Sequence, residues 1–246
     1  MLKLFQKLVK LNLDDLALYL AVEGGLFLVI QIIIGCVMHF GRPDTSVTVS
    51  CILFPIVGGF TALVAGISHV GVSFDQALRF GQTRKRALGL TLGLCAFESA
   101  FALVLAGLLA AVERFLCQPL WAKLAGMEDW ASGNIFFSPE GTTVNGALVS
   151  GKVLLIKTFT LDWYWWLLIF ALAVGGGVIA GALIQRFGGK GGWIIWGICV
   201  LPMLLTQIFP RELVSSVELV VPVLAVLFVA GFLWSVWSLL HAVVRS

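Results

Sequence analysis

The stretch GVSFDQALRFGQTRKR, residues 71–86, decides how this chain is arranged, because it is the one strongly charged interruption in an otherwise apolar first half. It carries four cations against a single anion, Asp75, and it lies between two apolar runs of membrane-spanning length. Short loops rich in Lys and Arg remain on the cytoplasmic side of a membrane. The segment is therefore predicted to be cytoplasmic, and that assignment sets the side on which every other loop lies.

A short helix is predicted inside this segment. Ser73 has the position of an N-cap, Gln76 follows at the third helical position, and Gly81 ends the turn. The apolar residues of the helix are Phe74, Ala77, Leu78 and Phe80. The pattern predicts a helix with an apolar face and a basic tail. Its ordinary interpretation is a solvated cap on a helical hairpin.

The order Phe-Asp-Gln-Ala-Leu-Arg-Phe-Gly-Gln-Thr-Arg-Lys-Arg also resembles a segment of ABC-2-type permeases, the membrane subunits of bacterial ABC transporters, particularly small Gram-positive exporters. The resemblance covers residues 47–116 closely and the rest only by helix number and length. It implies that residues 73–86 are a coupling segment, which docks on a cytoplasmic ABC ATPase. The coupling residues it implies are Phe74, Asp75, Leu78, Arg79, Phe80, Thr83, Arg84, Lys85 and Arg86.

Composition places the chain in a membrane. Of its 246 residues 60% are hydrophobic and 12% charged, and a mean hydropathy of +1.03 is incompatible with a polar globular surface. A net charge of +3 spread in bands gives no support to nucleic-acid binding. The five cysteines form no Cys-x-x-Cys pair, so neither a disulfide framework nor a metal site is indicated.

The order of these segments predicts an all-α integral membrane protein with six transmembrane helices. Residues 1–14 are predicted to form an interfacial helix whose lysines, Lys3, Lys7 and Lys10, share one face. The spans are predicted at about 16–40, 49–72, 87–111, 162–185, 193–209 and 217–240. A tight turn is expected at 41–44, and residues 112–161 form one larger extracytoplasmic loop whose later part, 153–161, could be a strand or an interfacial helix.

Charge supports this topology, with both termini cytoplasmic and residues 1–246 as a single transmembrane domain. Ten of the 16 Lys and Arg residues fall in the segments predicted to be cytoplasmic. Two GxxxG pairs, Gly89 with Gly93 and Gly177 with Gly181, predict close contacts between helices.

No catalytic motif accompanies these spans, so the chain is predicted not to be an enzyme. The sequence GALVSGKV, residues 146–153, resembles a P-loop but has Val153 where Ser or Thr should hold magnesium. ATP and Mg²⁺ are therefore expected on a partner ATPase. His39, His69 and His241 lie near predicted span ends, where a lone histidine is usually interfacial.

Glu98 is the strongest single candidate for a functional residue. It lies near the middle of the third predicted span, where an ionised side chain costs at least about 2.5 kcal/mol. Gln31 lies at a similar depth in the first span. Both are candidates for the lining of a translocation path. A protonated or hydrogen-bonded group that only fixes helix packing is an equal alternative.

The function predicted from the sequence is the permease subunit of an ATP-driven ABC transporter in the cell membrane. The resemblance implies an assembly of two permease subunits with two ATPases, exporting a hydrophobic or amphipathic substrate such as a peptide, lipid or drug. An ion-coupled carrier or channel with Glu98 as its titrating group, or a scaffold that transports nothing, are the alternatives.

Overall fold

The computed structural model describes residue 10 and residues 12–40, 47–49, 53–126, 130–133, 135–138, 141–144, 146–149, 154–158, 161–208 and 217–241. Five helices within these residues are long and apolar enough to cross a membrane: Leu13–Phe40, Leu53–Arg79, Arg84–Leu124, Trp163–Phe187 and Pro222–Leu240. Helices of this kind satisfy all their backbone hydrogen bonds internally, as a bilayer requires. The chain is a multi-pass membrane protein.

Helix boundaries agree well with the spans expected from hydropathy. Helices α1 (Leu13–Phe40), α2 (Leu53–Ser68) and α3 (Phe74–Arg79) come first, followed by α4 (Arg84–Val112), α5 (Gln118–Leu124), α6 (Trp163–Phe187), α7 (Gly189–Ile208) and α8 (Val217–Leu240). Helix α7 starts four residues before the expected fifth span, since the turn is made by Gly188 alone at φ 61°. Most of the predicted interfacial helix, with Lys3 and Lys7, and the turn at 41–44 lie outside the described residues; Lys10 is exposed.

The region 112–161 is more structured than the loop that was expected. Helix α4 continues through a π-helical turn, Glu113–Cys117, into α5. After α5 come the strands β2 (Trp130–Gly133), β3 (Ile135–Ser138), β4 (Gly141–Val144), β5 (Ala147–Val149) and β6 (Leu154–Thr158). The expectation of an all-α chain is therefore wrong, and the choice left open for 153–161 is decided in favour of a strand.

The strands form two three-stranded sheets. In one, β6 lies between β2 and β1 (Val47–Val49) and is parallel to both. In the other, β4 pairs antiparallel with β3 and β5. Strands β4 and β5 pair with Val144 opposite Ala147, and Gly146 between them has φ 84°, a value that an Asn-Gly sequence favours. The P-loop-like segment thus begins as a hairpin turn and strand, where a P-loop would lead into a helix.

The chain divides into two compact units, each described separately here. The hairpin unit contains Met1–Asn12, Phe60–Ala100 and Phe170–Ser246, and the sheet unit contains Leu13–Gly59 and Phe101–Ile169. The core of the hairpin unit is a cluster of buried residues on the π-helical turn His69–Ser73 and on α3, α4, α6 and α8, and consists of Val70, Phe74, Ala87, Leu88, Val178, Ala182 and Leu239. In the sheet unit the buried cluster is Ile34, Met38, Trp121, Ala122 and Ile156.

One of the two GxxxG pairs makes the close helix contact that was predicted. A Cβ placed on Gly177 would lie 3.2 Å from Cα of Gly66, and one on Gly181 would lie 2.5 Å from Cβ of Val70. Small residues let the backbones of α6 and α2 approach closely. The prediction is wrong for Gly89, because a Cβ there would meet no atom within 4 Å.

Candidate functional site

The charged segment is a hydrogen-bonded connection between two long helices. Helix α2 runs into α3 through the π-helical turn His69–Ser73. The N–H of Gly81, at φ 78°, donates to the Leu78 carbonyl at 3.0 Å, and that of Gln82 donates to the Ala77 carbonyl at 3.1 Å. These two bonds are the Schellman arrangement that ends many helices. We call residues 74–86 the basic hairpin.

Gly81 ends the helix as predicted, but Ser73 does not begin it. Ser73 has helical angles, φ −68° and ψ −34°, and its side chain makes no capping hydrogen bond. No free N-terminus exists at this point, because the apolar run of α2 passes directly into α3. Helix α3, at the start of the predicted coupling segment, is thus the continuation of a long apolar helix and not a separate helix.

The two aromatic residues of the basic hairpin lie in different environments. Phe74 is completely buried in the core of the hairpin unit, and Leu78 packs against the same core. Phe80 is 84% exposed. Phe74 therefore cannot serve as a surface anchor for another protein in this conformation, whereas Phe80 can.

Charged residues flank Phe80 in the sequence. Asp75 pairs with Arg79 at 3.1 Å, one helical turn apart on an exposed face. Thr83, Arg84, Lys85 and Arg86 are all exposed at the end of the hairpin and the start of α4. An exposed ion pair of this kind contributes little to stability.

Glu98 forms a buried pair with His69. The His69 Nε2 atom lies 2.9 and 3.0 Å from the two Glu98 oxygens, and the exposed fractions of the residues are 5% and 2%. His69 Nδ1 lies 3.5 Å from the hydroxyl of Ser73. His69 was taken as a lone histidine, and that expectation is wrong, because it is buried and pairs with Glu98. The pair connects the π-helical turn before the basic hairpin to the middle of α4.

Gln31 belongs to the sheet unit and Glu98 to the hairpin unit. Gln31 shares a face of α1 with the buried residues Ile34 and Met38. Among the described residues, neither its amide oxygen nor its amide nitrogen has a hydrogen-bond partner, and the same is true of the fully buried amide of Gln118 on α5. Buried polar atoms of this kind generally require water or a ligand.

Glu23 is an acidic residue that the sequence analysis missed. It is completely buried on α1, and neither carboxyl oxygen has a hydrogen-bond partner among the described residues. Space for it is left by Gly58, where a Cβ would lie 2.6 Å from Glu23 Oε1. A signal existed, since Glu23 is an acid inside a predicted span, where charge is costly.

Two arginines hold the C-terminal end of α8. Arg84 donates through Nη1 to the Leu240 carbonyl at 3.4 Å, and Arg186 donates to the hydroxyl of Ser238 at 3.3 Å. The Arg186 guanidinium also lies 5.3 Å from the centre of the Trp234 ring. Cations at a helix C-terminus are favoured by the helix dipole. Arg84 therefore has a structural contact in addition to its exposed position.

No protein-family model, curated protein or solved structure matches this chain.

Proposed function

We propose that this chain is the permease subunit of an ATP-driven ABC transporter, and that the basic hairpin is where a cytoplasmic ATPase docks. The observation that carries the proposal is the division of the hairpin into a buried side and an exposed side. Phe74 is locked in the core, while Phe80 is 84% exposed beside Arg79 and the basic run that opens α4. A large exposed ring in a segment rich in cations suits a partner groove with an apolar floor and an acidic rim.

The same hairpin is well placed to pass motion into the membrane. It is continuous with α2 and α4 and has no flexible linker on the α2 side. The His69–Glu98 pair joins these two helices within the bundle. Packed helices move as bodies, so a displacement of the hairpin by a partner would shift both spanning helices together.

Unpartnered polar atoms in the sheet unit support a transport role. Glu23, Gln31 and Gln118 have buried carboxyl or amide atoms without a hydrogen-bond partner among the described residues. Transporters concentrate such groups along the route of their substrate, because polar atoms in lipid are too costly to keep without a use. The proposed substrate is hydrophobic or amphipathic. The proposed assembly is two six-span subunits in the cell membrane, with cytoplasmic termini and two ATPases that hold ATP and Mg²⁺.

The test is co-purification of this chain with the ABC ATPase that the proposal requires. We expect Phe80→Ala to weaken ATPase binding at least about tenfold, because truncation of a central aromatic anchor commonly costs more than 1.4 kcal/mol. Phe115→Ala is the matched control, since Phe115 is 71% exposed and lies far along the chain in a different segment. Equal ATPase retention by both variants would contradict docking at the hairpin.

A carrier driven by an ion gradient is the second candidate, favoured by the buried His69–Glu98 pair. Such a carrier would transport without any ATPase and would stop when a protonophore collapses the gradient. The permease proposed above requires the ATPase under the same conditions. Transport by the purified chain alone in vesicles would therefore decide between the two.

A further inference from the structure

An open groove of about 560 Å³ lies where α4 begins and α8 ends. Its lining residues are Thr83, Arg84, Lys85, Leu240 and His241, all within the hairpin unit. Small-molecule sites commonly have volumes of about 300–1,000 Å³. The groove is therefore large enough to hold the headgroup of a lipid.

The groove has an excess of positive charge. Of the five described residues that line it, two are cations and none is acidic. The first-turn N–H groups of α4 lack intrahelical acceptors, and the dipole of this long helix adds positive potential at the same place. Thr83 supplies a hydroxyl next to them. These are the donors that phosphate oxygens require.

The contact between Arg84 and α8 gives this wall of the groove a defined position. A guanidinium has five N–H donors, and the bond to the Leu240 carbonyl uses one of them. The His241 ring is also fixed, because Nδ1 lies 2.8 Å from the Trp237 carbonyl and can only donate to it. The Nε2 atom of His241 is thereby left for other partners.

The position of the groove corresponds to the headgroup layer of a membrane. Helices α4 and α8 both include segments long and apolar enough to span, and the groove lies at their ends. Trp237, one turn before His241, is 55% exposed and stacks against the His241 ring at 4.8 Å. Trp193 and Trp196 of the same unit are also exposed. Exposed tryptophans of this kind mark the membrane–water interface.

We propose that this groove binds the phosphate group of an anionic phospholipid, held by Thr83, Arg84 and Lys85, with Leu240 against the apolar part of the lipid. This role goes beyond the proposed docking of an ATPase, because Phe80 and Arg79 do not line the groove. A lipid bound here would bridge the start of α4 and the end of α8. It would thus stabilise the helix ends next to the basic hairpin.

The test uses the purified full-length chain without any ATPase, so its outcome is independent of the proposed transport function. Binding of phosphatidylglycerol and of phosphatidylcholine is measured by native mass spectrometry. We expect phosphatidylglycerol to bind more tightly, and Lys85→Gln to weaken its binding about fivefold, the contribution of one basic residue near an anionic surface. Arg86→Gln removes the same charge from the next residue, which does not line the groove, and should leave affinity within about twofold of the wild type.

Lys85 is chosen because Arg84 also bonds to the Leu240 carbonyl. Lys85→Arg keeps the charge and should retain binding, which separates loss of the site from a folding defect. Equal losses in Lys85→Gln and Arg86→Gln would overturn the proposal, as would equal affinity of the wild type for the two lipids. Displacement of phosphatidylglycerol by inorganic phosphate at comparable concentration would show that the groove takes free phosphate, and would overturn the lipid assignment.

Discussion

At the scale of single residues, the pairing of Glu98 with His69 offsets the free-energy cost of burying the Glu98 carboxyl group. An isolated carboxylate at this depth costs at least about 2.5 kcal/mol, yet Glu98 is only 2% exposed. An imidazole at 2.9–3.0 Å can compensate either as a cation in an ion pair or as a neutral hydrogen-bond partner. In both forms the two side chains fix the distance between the π-helical turn and α4.

Substitutions at Glu98 distinguish packing from transport. We expect Glu98→Gln to preserve the subunit yield and thermal midpoint, because the amide retains a hydrogen-bonding partner for His69 Nε2. Glu98→Leu should lower stability by about 1–3 kcal/mol, since it removes a buried partner of the imidazole. If Glu98 acts in transport, the Gln variant alters the rate or its pH dependence, measured over several pH values in vesicles.

The double substitution His69→Phe/Glu98→Leu is the control for packing. Replacing both polar partners by apolar groups can be nearly neutral, so stability should return toward that of the wild type. A Gln variant with unchanged rate and unchanged pH profile would remove Glu98 from the transport path. It would also remove the main support for an ion-coupled carrier.

The sequence could identify Glu98 but not its partner. An acid within an apolar run is visible locally, whereas His69 is 29 positions away on another helix and was taken as interfacial. Glu23 was visible by the same rule and was overlooked. The burial of Phe74 could not be foreseen, because both faces of such a short helix carry apolar residues and only the packing of α4, α6 and α8 decides which is covered.

At the scale of elements, the contact between α2 and α6 depends on glycine. A Cβ on Gly181 would lie 2.5 Å from Cβ of Val70 and 3.2 Å from the Ile67 carbonyl, neither of which is the end of a flexible side chain. Val70 belongs to the π-helical turn that leads to the basic hairpin. The approach of α6 therefore helps to position the hairpin.

We expect Gly181→Ala to destabilise the protein by about 1–3 kcal/mol, the usual cost of overpacking a core. Gly89→Ala is the matched control, since its Cβ would meet no atom within 4 Å, and it should be neutral or stabilising by about 0.5–1 kcal/mol. Thermal unfolding of the two variants in the same detergent is the measurement. A Gly181→Ala variant as stable as Gly89→Ala would contradict the close packing of the two helices.

Hydropathy located the helices because a bilayer demands about 20 apolar residues in each. Four of the six predicted spans begin and end within three residues of the corresponding helices α1, α4, α6 and α8: 16–40, 87–111, 162–185 and 217–240. The continuation of α2 into α3 was hidden, because polar residues after Val72 are compatible with either a helix end or an exposed helical turn. The strands were missed for another reason. β6 pairs with β1, which precedes it by more than 100 positions, and such pairing leaves no local pattern.

At the scale of the whole molecule, the six-span topology requires that α7 cross the membrane. Five helices meet the length and composition of a span within the described residues, and α7, of 20 residues, is the sixth that the topology requires. With six spans, Lys190 and His241 lie on the same side, because α7 and α8 both cross between them. With five, they lie on opposite sides.

Single-cysteine labelling with a membrane-impermeant maleimide tests this count in intact cells. In a background without the five native cysteines, we expect Thr83→Cys, Lys190→Cys and His241→Cys to react only after lysis, while Asp162→Cys reacts in intact cells. All four positions are exposed, so every variant should label fully in lysed cells. The expected sides follow from the excess of Lys and Arg in the segments around positions 83 and 190. Reaction of His241→Cys in intact cells, with Lys190→Cys still protected, would mean that α7 does not span and that the six-span permease is wrong.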